Sequence, residues 1–172
     1  VTEGDGFDWL PALLVLQGAM GALDTIVNHE LIVALARRPE ARSELALHAG
    51  REAVYAGLFL GLGWFAWQGA FALLIVVLLI AEVAITVSDE LVENRTRVLP
   101  QNERALHVFL TLNFGALVAT LVPVLADWMA NPSELAPSYA GWMSWTLLAL
   151  GLASAGWSVR DLIASRRLKL QA

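Results

Sequence analysis

Long apolar runs alternate with short charged turns along this chain, and the alternation predicts five helices. Residues 9 to about 27 are nearly uncharged until Asp24. That is about 20 residues, the length a helix needs to cross roughly 30 Å of hydrocarbon. The helical pattern continues through Glu30 and stops at Arg37-Arg38-Pro39, because proline lacks the amide that the next turn needs. A second helix is expected from Ser43, read as its N-cap, to about Trp67. Its first third carries Glu44, His48, Arg51 and Glu52, and the rest is apolar. Gln68-Gly69 reads as a tight turn. A third helix runs from about Ala70 through an unbroken apolar stretch, acquires Glu82, Asp89, Glu90 and Glu93, and ends near Arg97. Pro100 suits the first turn of a fourth helix, expected to reach about Met129 with a bend near Pro123. Residues 131–140 read as a loop, and a fifth helix is expected over about 141–166. The expected fold class is all-α: one polytopic membrane domain over 1–172 with five transmembrane helices.

The two charged turns share a skeleton. Glu30-Leu31-Ile32 corresponds to Glu90-Leu91-Val92, each followed by a basic, proline-bearing break and then by Glu-x-Ala-Leu-His, Glu44 to His48 and Glu103 to His107. This predicts an internal duplication, repeat A at about 9–67 and repeat B at about 70–129. Helices 1–2 and 3–4 would then be matched hairpins of a four-helix bundle, with the fifth helix added.

Composition sharpens the membrane reading. The chain is 58% hydrophobic and 16% charged, where soluble proteins average roughly 25% charged. All 11 basic residues lie at 37–51, 95–104 or 160–169. With five spans these regions share one side, which the positive-inside rule makes cytoplasmic, leaving the N-terminus outside an inner or plasma membrane. Six of the seven Trp residues (9, 64, 67, 128, 142 and 145) fall at the opposite end, as an interfacial belt should. The segment 1–8 is short and acidic, without a signal-peptide pattern. A net charge of -5 argues against nucleic acid as a partner. The absence of cysteine removes disulfides and thiolate ligands.

Counting residues from each turn places Glu30, His48, Glu90 and His107 at one level near the inner interface, with His29 and Asp89 beside them. Glu44 and Glu103 lie one turn closer to the cytoplasm. Asp24, Glu52 and Glu82 lie deeper and are the candidate catalytic groups. Charge within the bilayer costs roughly 2.5–3.5 kcal/mol per residue at a helix centre. Around the two turns ten carboxylates face seven arginines, leaving three uncompensated negatives beside three histidines. Bound divalent cations would supply the missing charge, and carboxylate with imidazole suits Fe, Mn or Zn. The candidate ligands are Glu30, His48, Glu90, His107, Glu44, Glu103, His29 and Asp89.

The order Glu30, Glu44/His48, Glu90, Glu103/His107 resembles the ferritin-like carboxylate-bridged di-metal bundles. Those proteins take one Glu from each of two helices and a Glu-x-x-His motif from each of the other two. Here the spacing is Glu-x-x-x-His, which keeps the helix face but changes the geometry, so Glu52 can replace Glu44. The resemblance implies two metal ions. The expected function is then redox or oxygen chemistry, or metal-activated hydrolysis, on a membrane-soluble substrate. A metal-ion or proton transporter and an accessory subunit of a larger membrane complex or homo-oligomer are the alternatives.

Overall fold

The computed structural model describes residues 9–170, so the acidic lead lies outside the described residues. Five long helices form: α1 (Trp9–Leu23), α2 (Arg42–Leu62), α3 (Ala72–Thr96), α4 (Gln101–Met129) and α5 (Trp142–Lys169). A π-helical segment, Asp24–Val33, continues α1 without a break. Short strands β1 (Phe65–Trp67) and β2 (Leu135–Pro137) pair antiparallel, Phe65 opposite Pro137 and Trp67 opposite Leu135.

Four segments are long and apolar enough to cross a membrane: Trp9–Val33, Gly69–Thr96, Gln101–Met129 and Trp142–Lys169. Helix α2 is diluted by Glu44, His48, Arg51 and Glu52, and it is also the most enclosed. It buries 10 of its 21 residues, against 6 of 25 in α3 and 5 of 29 in α4. The outer helices therefore present apolar side chains such as Leu73, Val77, Ile80, Phe109 and Leu112 outward, the inverse of a soluble bundle.

Packing departs from two closed hairpins with an added helix. Helix α2 lies along α5 for most of its length and borders α3, while α1 packs on α4 and α5. Helices α1 and α2 scarcely touch, and neither do α3 and α4. Each pair joins at a charged turn and then splays, so α5 closes one side and a space is left inside. At the Trp-rich end that space is sealed by Leu14, Phe59, Ile75, Leu117, Leu121 and Leu147. At the charged end a smaller core joins Val33, Leu35, Ala41 and Leu45 to Leu168.

Two expected helix ends move. Helix α2 stops at Leu62 instead of Trp67, because residues 65–67 give their backbone hydrogen bonds to β2. It begins at Arg42, and Ser43 lies inside its first turn without a capping bond. The tight turn at Gln68-Gly69 does form. Gly69 has φ +58°, and a Cβ there would lie 2.6 Å from the Ser133 backbone. Ser133 also accepts the Ala70 amide at 2.9 Å. Gly69→Ala is expected to cost about 1–2 kcal/mol from the left-handed backbone alone, plus displacement of the 130–134 loop. Thermal unfolding in detergent should show a lower midpoint, and an unchanged one would contradict this turn geometry. The Trp belt gathers at the same end, with Trp64 edge-on to Trp145 at 5.1 Å and beside Tyr139 at 5.8 Å.

Candidate functional site

The π-helical segment sets the first wall of the site. Hydrogen bonds from i to i+5 widen the turn, so residues four and five apart share a face. The buried residues of the segment are accordingly Asp24, Asn28, His29 and Val33. Asp24 and His29 thus come together, with Asn28 donating to Asp24 at 2.7 Å. Glu30 is turned the other way. It pairs with Arg160 of α5 at 2.6 Å, partly exposed, and joins no candidate ligand group among the described residues. This corrects its expected place beside His48. Glu30→Gln should leave metal content unchanged and cost under about 1 kcal/mol, as a partly exposed pair does. Loss of metal in that variant would reinstate Glu30 as a ligand.

The remaining acids and histidines converge. His107 Nε2 donates to Asp24 Oδ2 at 3.2 Å. His29 Nε2 lies 3.4 Å from both Asp24 Oδ2 and Glu103 Oε1. The His29 and His48 rings stack, 4.4 Å between centroids and 9° from parallel. His48 Nε2 donates to Asp89 Oδ2 at 3.1 Å, and Arg51 Nη2 reaches the same oxygen at 2.9 Å. Glu93 stands between the two expected histidines, Oε1 4.0 Å from His48 Nε2 and Oε2 3.7 Å from His107 Nδ1. Among the described residues three sets offer ligand atoms within 4.8 Å of one another: Asp24, His29, Glu103 and His107; His29, His48 and Glu93; Glu90, Glu93 and His107. Glu93 belongs to two of them. Glu90 sits at the exposed rim, its carboxylate accepting from Asn94 at 2.8 Å.

Arg97 closes the charged end. Its guanidinium donates to Glu44 at 2.7 Å, Glu93 at 3.2 Å and Glu103 at 2.5 Å. Burial opposes the Arg97 charge, yet the bonds to Glu103 and Glu44 outweigh it and hold its pKa above the ordinary arginine value. Glu44 is therefore committed to Arg97, while Glu103 divides between Arg97 and the His29 side.

Above this floor lies a chamber of about 430 Å³, within the range of small-molecule sites. Its polar lining includes Asp24, His29, His48, Asp89, Glu93 and His107, and its walls include Phe59, Val83, Leu110, Phe114 and Leu150. The deeper expected groups line it too: Glu82, whose Oε1 accepts from Thr86 at 3.1 Å, and Glu52. Tyr55, also in the lining, accepts from Gln17 at 2.9 Å, and Gln17 accepts from Asn113 at 2.7 Å, which ties α1, α2 and α4 together. Among the lining residues Val83 and Val87 of α3 and Thr111 of α4 are exposed, as are Ala22 and Ile26 at the α1 side and Ala153 of α5.

The donor set fits divalent cations. His29 Nε2, Asp89 Oδ1, Glu82 Oε2 and Glu93 Oε2 are buried in this lining without a hydrogen-bond partner, and each belongs to a side chain more than nine-tenths buried. Leaving such atoms unmet costs roughly 1–3 kcal/mol each. Among the described residues seven carboxylates are buried (Asp24, Glu44, Glu82, Asp89, Glu93, Glu103 and Asp161), and they face three guanidiniums, Arg51, Arg97 and Arg160, and the imidazoles of His29, His48 and His107. The carboxylates outnumber the guanidiniums, an excess of negative charge that divalent cations would offset. The expectation omitted Glu93 as a ligand and Arg97 as the cap. Glu93 was legible, since it follows Asp89 by four residues on one helix face, whereas the convergence of three helices on Arg97 was not. Compared with family models, curated proteins and solved structures, the chain gives no match.

Proposed function

We propose that this chain is an integral membrane metalloprotein that holds two divalent cations on the polar floor of its chamber and acts on a lipid-soluble substrate. The single observation that carries the reading is the set of buried ligand atoms that make no hydrogen bond, His29 Nε2, Asp89 Oδ1 and Glu93 Oε2, in the lining of one cavity. Asp24, Glu103 and His107 would hold one ion and His48 and Glu93 the other, with His29 between them. Bound ions would supply Lewis-acid or redox chemistry of the kind Fe, Mn or Zn provides. The imidazole protons now shared with Asp24 and Asp89 would leave as metal binds, so uptake should release protons. Arg51 holds the Asp89 carboxylate and keeps its free oxygen aimed inward.

All five helices span the membrane in this reading, with α2 shielded from lipid by α5 and α3. The turns at 37–51 and 95–104 and the tail at 160–169 lie in the cytoplasm. An apolar substrate enters through the α3–α4 seam. The transport alternative is less well supported, because Leu14, Phe59, Leu117 and Leu121 pack across the route to the Trp-rich end. Metal analysis of chain purified without chelator should find about two divalent ions per chain. A metal-free preparation that also takes up no Fe(II), Mn(II) or Zn(II) would overturn the proposal.

A further inference from the structure

The chamber has a second polar feature, on its α5 side. Ser158 Oγ donates to the Ala49 carbonyl at 2.7 Å, fixing the register of α5 against α2. One turn further toward the Trp-rich end, Glu52 of α2 and Ser154 of α5 line the chamber, together with Trp157. Glu52 Oε2 and Trp157 Nε1 are both buried, and neither has a hydrogen-bond partner. Arg160 lies over the indole ring at 5.4 Å and is itself held by Glu30 and Asp161. Phe59, Leu150 and Ile26 give the same chamber an apolar lining, while Asp161, Arg160, His48 and Arg51 are the charged groups around Glu52.

We propose that Glu52 and Trp157 form a head-group subsite for a single-chain, lipid-soluble ligand whose polar end is a neutral hydroxyl-type group, the apolar wall taking its chain. The donor and acceptor inventory selects this class. A carboxylate oxygen accepts, and an indole N–H only donates. A hydroxyl is complementary to both atoms, and it remains so if Glu52 is protonated, because it can accept as well as donate. A ligand carboxylate would meet the Glu52 charge. An ammonium would leave Trp157 Nε1 unmet, and a plain hydrocarbon would leave both atoms unmet. The inference rests on the reading of the chamber as lipid-accessible and does not require the metal ions.

The test is photolabelling of the detergent-purified full chain with a diazirine-bearing hexadecanol, before and after chelation. Label should map to the segments holding Glu52 and Trp157, and hexadecanol should compete about tenfold better than hexadecane or hexadecylamine, the value of one such hydrogen bond. Glu52→Ala and Trp157→Phe should each weaken labelling about tenfold, whereas Glu52→Gln, which keeps a carbonyl acceptor, should stay within about threefold. Hexadecane competing as well as hexadecanol, or full labelling in both truncated variants, would overturn the subsite. The hexadecane comparison uses unmodified protein, so it remains decisive if a variant fails to fold. Metal analysis of the same samples separates the two proposals: metal without selective labelling removes this one, and selective labelling without metal removes the other.

Discussion

Replacing Arg97 with Met is expected to destabilise the chain by about 3–5 kcal/mol, the cost of stranding buried charges by removing their partner. Arg97 holds Glu44, Glu93 and Glu103, and all three carboxylates are at most 1% exposed. They come from three helices, α2, α3 and α4, so the guanidinium also locks the charged end of the bundle. Arg97→Lys should fall between the two, because an ammonium cannot fork between Glu44 and Glu103. Adding Glu44→Gln and Glu103→Gln to Arg97→Met should recover part of the loss by removing the unpaired charge. The measurement is denaturant or thermal unfolding in a fixed detergent. Wild-type stability in Arg97→Met would mean that the network does not exist as described.

Glu93→Gln is expected to have the largest effect on metal binding. Its two oxygens lie beside His48 on one side and His107 on the other, so one substitution removes a ligand from the His29–His48 position and disturbs His107 of the other. Metal content should fall from about two ions per chain to one or fewer. The stabilisation that added metal confers should shrink with it; for the wild type that is about 2.7 kcal/mol at a free metal concentration one hundred times the Kd. His48→Ala should lose metal in the same way. Glu90→Gln serves as the contrast, since that carboxylate sits at the rim on Asn94, and its variant should keep full occupancy. Equal losses in Glu90→Gln and Glu93→Gln would show that bulk negative charge, rather than the Glu93 position, attracts the ions.

These two residues also show how far a linear reading carries. Helix positions followed from apolar runs, and helix ends from proline, glycine and charge, to within a few residues except where strand pairing shortened α2. The one-sided distribution of Lys and Arg marked the charged end, and the acid and histidine spacings showed that His48 and His107 would reach a common level. Arg97 was read as the end of a helix because nothing in a sequence of local spacings says that three helices deliver carboxylates to one guanidinium.

By itself the sequence determined the presence of five long helices and their approximate ends, four of them apolar enough to cross a membrane, the gathering of charge at one end and of Trp at the other, and the shared helix faces of the acids and histidines outside Asp24–Val33. Helix period and transfer free energy are local quantities, so they can be read residue by residue. Only the tertiary structure decided which of those faces look into the chamber. The i→i+5 register from Asp24 to Val33 turned His29 inward and Glu30 outward, against an α-helical period. The splaying of each helix pair, with α5 packed along α2, opened the chamber and brought Glu52 and Trp157 into one lining. Those outcomes depend on packing between residues far apart in the chain, and no periodicity along it encodes which neighbour a face will meet.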